Sequence, residues 1–299
     1  MNNFKYFPAK EVKEACALLS QYGEDAKILC GGQSLVTLMK QNFVVPSYLI
    51  DIKGISDLEY IRYSENDGLR IGGLATHRSV EKSDIIKEKF PMLAEMENTL
   101  ASVAVRNWGT VGGNLCSADP ASDLAPTLMS LGAEVTLTAK DAERVVKLEE
   151  FFVDLFETVL KPDEILTEIH IPSMVRSGGR HMKFAHRATD LAVVNAATHL
   201  TLDESNPDVC KDIRIVLGSV NPIPFRSKGA EELLRGQKIN DALIEKAAGI
   251  TAEDIDPTTD LNGTEEFKRK IARVLAQRTI HAAADRARFT LTLQKPEGF

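Results

Sequence analysis

One glycine-rich stretch limits what this chain can fold into more than any other: Arg106-Asn-Trp-Gly-Thr-Val-Gly-Gly-Asn114, continuing to Ala118-Asp-Pro-Ala-Ser-Asp-Leu124. Gly109, Gly112 and Gly113 carry no Cβ, so the backbone there can take φ > 0 and come close to a ligand. Successive N–H groups can then point into one concavity suited to a phosphate or diphosphate. Thr110 and Asn114 bracket the glycines with short hydrogen-bonding side chains. Asp119 and Asp123 follow where a carboxylate can accept from a ribose hydroxyl or a ring N–H. Taken alone, the stretch is equally compatible with a glycine-rich turn closed by an Asn/Asp cap.

A second stretch narrows the choice. Ile28-Leu-Cys-Gly-Gly-Gln-Ser-Leu35 reads as a strand, a Gly31-Gly32 turn, and then a helix patterned on Leu35, Leu38 and Met39. The start of such a helix offers N–H groups and the positive end of a dipole. Neither stretch matches the three-glycine dinucleotide fingerprint or the phosphate loop that ends in Lys-Ser/Thr. Two separate nests of this kind imply one large ligand with a diphosphate in its middle. Valine at Gly112 or Gly32 is therefore expected to abolish ligand retention while leaving the fold largely intact.

Composition excludes several other classes. Lys plus Arg number 36 against 43 Asp plus Glu, a net charge of −7 with no basic block, which argues against nucleic acid as a partner. A hydrophobic share of 43% with 26% charged residues is that of a globular chain rather than a disordered one. No apolar run approaches the roughly 18 residues of a membrane span, and the start Met1-Asn-Asn-Phe-Lys lacks a signal core, so cytoplasm is the expected location. Cys16, Cys30, Cys116 and Cys210 are scattered singly, which suits four reduced thiols and no zinc or iron–sulfur cluster on this chain. His77, His170, His181, His186, His199 and His281 show no metal-ligand spacing, and no metal site is expected.

The periodicity predicts a small α/β unit over residues 1–57, with helices over 8–19 and 34–41 and strands over 26–30 and 48–52. A right-handed crossover is its natural topology. From 58 to 172 strand signals dominate, at 59–63, 69–73, 134–139 and 165–171, with helical patterns at 79–87, 92–101 and 124–131. The main glycine stretch is expected as a loop between the last two helices. Residues 174–180 make the best linker. Beyond it, strands at 183–186, 193–202 and 213–220 and helices at 227–234, 241–249 and 267–289 suit an antiparallel sheet covered by helices. The tail after Leu293 is expected to be mobile.

In order and spacing, Cys30-Gly-Gly-Gln-Ser34, Arg106-Asn-x-Gly-Thr-Val-Gly-Gly-Asn114, Asp119-Pro-Ala-Ser-Asp123 and Lys183-Phe-x-x-Arg187-x-x-Asp190 resemble the FAD-binding medium subunits of the molybdenum hydroxylases, over roughly residues 1–290. The residues alone reach a diphosphate-containing ligand; FAD is what the resemblance implies. It implies an α+β chain: a two-part FAD-binding domain of the vanillyl-alcohol oxidase/PCMH type over 1–176, with subdomains of about 1–57 and 58–176, then a C-terminal domain with an antiparallel sheet over 177–290, and a tail over 291–299. Leu29, Cys30, Gly31, Gly32, Gln33, Ser34 and Leu35 would wrap the diphosphate. Thr110, Val111, Gly112, Gly113 and Asn114 would meet the diphosphate or ribityl chain from the other side. Asp123 matches a position that hydrogen-bonds the cofactor, and it is also placed to cap the helix starting at Leu124. Leu100 would lie near the flavin ring, Leu166 would meet it with its backbone, and Lys183 would stand close to the pyrimidine side. Arg187 and Asp190 read as an ion pair within the domain or as a partner contact, and Trp108 as a cap on the cofactor loop, a residue facing a partner subunit or, preferred, a half-buried packing residue.

The same resemblance implies an oxidoreductase subunit without catalytic acid–base residues of its own. A small partner subunit would carry two two-iron two-sulfur clusters and a large one molybdopterin, in a dimer of heterotrimers. Electrons would reach the FAD here and leave to an external acceptor. A self-contained FAD-dependent oxidase or reductase of the same fold is the alternative.

Overall fold

Pro8 closes a short strand instead of opening a helix. Lys5–Pro8 form β1, and the first helix, α1, is Val12–Tyr22. Proline's fixed φ suits a strand end as well as a helix start, which is why the sequence pattern misplaces it. This is a computed structural model describing residues 3–174 and 176–293, with side chains described as far as residue 290. Val175 of the expected linker and residues 294–299 of the expected tail lie outside the described residues.

The chain continues through β2 (Ala26–Leu29), α2 (Leu35–Lys40), β3 (Tyr48–Asp51), β4 (Ile61–Ser64), β5 (Gly68–Gly72), α3 (His77–Lys82), α4 (Asp84–Lys89) and α5 (Pro91–Thr99). The single helix expected over 79–87 is thus two, broken at Ser83, whose ψ of 120° ends α3. Next come α6 (Val103–Trp108), α7 (Val111–Ser117), α8 (Leu124–Ser130), β6 (Glu134–Thr138), β7 (Glu143–Lys147), β8 (Phe152–Asp154), β9 (Glu157–Thr158) and β10 (Ile165–Ile171). The rest comprises β11 (Ser177–Phe184), β12 (Val194–Leu202), β13 (Cys210–Gly218), β14 (Phe225–Arg226), α9 (Lys228–Leu234), α10 (Asp241–Asp254) and α11 (Glu265–Leu293). Residues 177–180 of the expected linker are strand: with two glycines, β11 lets α11 approach so closely that a Cβ at Gly178 would lie 2.2 Å from the Ala283 carbonyl oxygen.

Two compact units emerge, and they do not follow chain order. Unit 1 combines residues 1–83, 101–119 and 133–172; unit 2 combines 84–100, 120–132 and 173–299. Unit 1 holds a parallel sheet ordered β1-β3-β2 and an antiparallel sheet ordered β4-β5-β10-β6-β7. The parallel sheet buries Ile50 and Ile52 against Ala15, Cys16 and Leu19 of α1, the expected α/β arrangement. Unit 2 is built on the antiparallel sheet β11-β12-β13-β14. One core of it gathers Val194, Ala196, Leu200, Ile213, Ile215 and Leu217 from the strands with Ala272, Ile280, Ala283 and Ala287 of α11. Alternate positions along β11 and β12 therefore face α11, and the others face the opposite side, toward α5 and α8.

Candidate cofactor site

In unit 1 the two glycine stretches meet. A Cβ on Gly31 would lie 2.1 Å from the Trp108 carbonyl oxygen and 2.8 Å from Gly109 Cα, so backbone packs on backbone where no side chain fits. Gly113 stands over Cys30, its would-be Cβ 3.7 Å from that of Cys30. Gly32 alone of these glycines takes the left-handed conformation, at φ +71°. It turns the chain from β2 into α2, and no hydrogen bond among the described residues engages the amides of Gly32, Gln33, Ser34 or Leu35. Gln33 and Ser34 are exposed, while the Gln33 side chain folds back to donate to the Gly31 carbonyl at 3.1 Å. These amides at the end of a parallel strand and the start of a helix fit a diphosphate.

The other stretch works differently from the expectation. It is no loop: Thr110 caps α7, its Oγ1 accepting from the Gly113 amide at 3.2 Å, and Gly112 and Gly113 are helical rather than φ-positive. Nor do its amides form a nest. Val111 donates to Ala75 O (2.9 Å), Gly112 to Gly73 O (3.1 Å) and Asn114 to Thr110 O (2.9 Å). Gly112 is required for close approach: its Cβ would meet the Gly73 oxygen at 2.6 Å. Gly73 in turn sits against the Leu166 carbonyl, 2.5 Å from where a Cβ would be, and donates to Thr167 O at 2.8 Å. Leu166, buried at an irregularity of β10, is thereby stacked through Gly73 on the start of α7. Valine at Gly112 would therefore break this packing, contrary to the expected intact fold. Gly73 was missed in the sequence, although the adjacent glycines 72 and 73 at a strand end were a signal of close backbone approach.

Arg106, buried in α6, donates from Nε to Glu81 of α3 at 2.8 Å, and Glu81 also pairs with Arg78 at 2.8 Å and Lys82 at 3.3 Å. Burial raises the Glu81 carboxyl, and these cations more than offset it, holding it below the ordinary range. Burial pushes the Cys30 thiol, just past the end of β2, up to about 12, against a smaller opposing pull from Thr110. Trp108 is 63% exposed, more than the half-buried packing expected of it.

Unit 2 brings together Asp123 and Lys183. Lys183 Nζ lies 2.7 Å from Asp123 Oδ2 and 3.3 Å from the Asp190 carbonyl oxygen, with its side chain 9% exposed. Asp123 forms no side-chain cap on α8, so the capping role expected of it is absent and its carboxylate pairs with Lys183 instead. Asn195 Nδ2 donates to the Ser122 carbonyl at 3.1 Å and to Asp123 Oδ1 at 3.2 Å, and His181 Nε2 stands 3.5 Å from the same Oδ1. Burial raises the Asp123 carboxyl, and the His181 and Lys183 groups facing it bring it below the ordinary range. His181 and Asn195 were not singled out in the sequence; His181 shares a strand face with Lys183 two residues on, the signal that period two supplied. Leu100 is buried at the end of α5. Among the described residues no salt bridge joins Arg187 and Asp190, which are linked only by a backbone hydrogen bond of 3.1 Å.

Unit 1 thus sets unengaged amides beside closely packed glycines, and unit 2 is an antiparallel sheet with helices packed on it. Residues 2–174 match the FAD binding domain in molybdopterin dehydrogenase, and residues 180–283 match the CO dehydrogenase flavoprotein C-terminal domain. The chain is 31% identical over 281 residues to the glyceraldehyde dehydrogenase medium chain of Sulfolobus acidocaldarius, covering 94% of this chain and 98% of the relative. It is 34% identical over 289 residues to the 6-hydroxypseudooxynicotine dehydrogenase complex subunit alpha of Paenarthrobacter nicotinovorans, covering 96% and 97%. The structure of carbon monoxide dehydrogenase from Hydrogenophaga pseudoflava superposes with a TM-score of 0.92 at 31% identity, covering 95% of this chain and 98% of that one. The chain belongs to the FAD-binding medium subunits of the molybdenum hydroxylase family, and is an oxidoreductase subunit of that type of complex. No helix among the described residues is long and apolar enough to cross a membrane, and no cluster of His, Cys, Asp or Glu there is arranged to hold a metal.

Proposed function

We propose that this chain is the FAD-carrying electron-transfer subunit of a molybdenum-containing hydroxylase or dehydrogenase. Electrons arrive from two-iron two-sulfur clusters on a small partner subunit and leave to an external acceptor, while a large partner subunit carries the molybdopterin, the whole forming a dimer of heterotrimers. Domain limits at 1–176 and 177–290 follow the same reading, and four unpaired cysteines suit a cytoplasmic setting. The observation that supports it best is the amides of Gly32, Gln33, Ser34 and Leu35, unengaged among the described residues beside the packed glycines, in a chain that matches a medium subunit over 94% of its length.

Bound FAD supplies two-electron redox chemistry that no side chain has. The chain's part is to hold it. Leu29, Cys30, Gly31, Gly32, Gln33, Ser34 and Leu35 cradle the diphosphate through backbone N–H. The stretch Thr110, Val111, Gly112, Gly113 and Asn114 acts through its close packing and through the short side chains of Thr110 and Asn114 rather than through its amides. Leu100 and Leu166 furnish the ring's surroundings, and Asp123, anchored by Lys183, accepts from the ring. A direct test is to mix the flavin-loaded chain, under anaerobic conditions, with small reducing substrates of such complexes. The flavin absorbance is expected to persist until the iron–sulfur and molybdopterin subunits are added; bleaching by substrate alone would favour a self-contained oxidase.

A further inference from the structure

His181 is a buried ring with nothing assigned to it. Its side chain is 3% exposed, and Nε2 has no hydrogen-bond partner among the described residues, although it faces Asp123 Oδ1 at 3.5 Å. A bare lone pair on Nε2 would oppose the carboxylate, so the neutral ring carries its hydrogen there and a further proton must enter at Nδ1. Lys183, at 2.7 Å, already balances the charge of Asp123. A protonated His181 would thus give the cluster one net positive charge, and a neutral ring none.

The neighbours leave that choice to His181. Titratable groups on β12 are limited to His199, which burial, followed by the charge of Arg214, pushes down to about 4, so it stays neutral. Helix α8 has no charged residue beyond Asp123 at its start. On α5, Glu95 is held by Arg180 at 2.7 Å and by Arg286 of α11 at 2.9 Å, and Glu97 is fully buried. The remainder of α11 packs on the opposite face of β11, where Met182 joins its core.

We propose that His181 is a redox-coupled proton site: as the bound flavin accepts two electrons from the iron–sulfur donor, His181 takes one proton from solvent at Nδ1, and it returns that proton when the flavin is reoxidised. This rests on the reading of Asp123 and Lys183 as flavin-contacting residues. Negative charge arriving beside a cluster of zero net charge, in a medium that screens poorly, is offset by a proton on His181, whose Nε2 has no hydrogen-bond partner among the described residues. His181 is a positioning residue for charge, acting through Asp123.

The test is potentiometric titration of the FAD-loaded full chain with dithionite between about pH 5.5 and 8.5, a range spanning the ordinary histidine transition, for wild type, His181→Gln and His181→Phe. A proton taken up with two electrons adds about 30 mV per pH unit to the slope of the midpoint potential. The wild type is expected to show this added slope over part of the range, and both variants to lose it while retaining FAD. Equal slopes in all three, with FAD bound, would overturn the proposal and leave the flavin reading standing. A wild-type chain that takes up no FAD would overturn both. Ring-carbon shifts of His181 in oxidised and reduced wild type provide a readout independent of variant folding: gain of a proton on reduction supports the site, and an unchanged ring refutes it.

Discussion

Gly112→Ala tests whether close backbone packing, rather than an amide nest, explains the glycines of the second stretch. Helix propensity alone predicts stabilisation by about 1 kcal/mol, since Gly112 lies inside α7. Against this, the new Cβ would stand 2.6 Å from Gly73 O, 2.9 Å from its Cα and 3.1 Å from its carbonyl carbon. None of these is the end of a flexible side chain, so backbone must move, at a cost of about 1–3 kcal/mol for overpacking. The 3.1 Å hydrogen bond from Gly112 N to Gly73 O stretches with it, a further loss of about 0.5–1.5 kcal/mol. The net expectation is destabilisation by about 1–3 kcal/mol, read in urea unfolding of the apo chain. Gly249→Ala in α10, where a Cβ meets nothing within 4 Å, is the control and should stabilise by up to about 1 kcal/mol. A Gly112→Ala chain as stable as its parent, with the control behaving as stated, would refute the packing argument.

Two further substitutions probe the buried charges. Asp123→Asn leaves Lys183 buried beside an uncharged partner and should destabilise by about 3–5 kcal/mol near neutral pH. Because the folded carboxyl sits below its unfolded value, the stability it contributes is present above about pH 4 and lost as pH falls through the folded pKa. The gap between wild type and Asp123→Asn in pH-dependent unfolding should therefore close in acid; a gap independent of pH would contradict the assignment. Glu81→Gln should cost about 3–5 kcal/mol by stranding Arg106, whereas the double change Glu81→Leu with Arg106→Leu should cost less, as unfolding midpoints would register. A double variant weaker than the single one would show that the ion pair contributes more than its desolvation removes.

Legibility in the sequence varied with the range of the interaction. Local patterns carried β10 and the first glycine turn, because alternation along Ile165–Ile171 and the strand-Gly-Gly-helix order are fixed by neighbours in the chain. The helix α7 was hidden: Gly112-Gly113 lowers local propensity, and only the Thr110 cap and packing on Gly73 overcome it. Whether an amide is available to a ligand is not a local property at all. Gly32 and Gly112 look alike in sequence, yet the amide of Gly112 is used by Gly73 and that of Gly32 is not. The same holds for residues 84–100 and 120–132, which group with unit 2 through helix contacts that chain order does not reveal. Family resemblance reached Asp123 and Lys183 one at a time; that they bind each other, with His181 and Asn195 around them, follows from strand pairing.

Visible absorption of the isolated chain, followed by acid release and chromatography of what colours it, with iron measured on the same sample, tests most directly whether FAD is held here. The expected result is FAD close to one per chain and no iron. A colourless chain that also fails to take up added FAD would contradict the cofactor site described here.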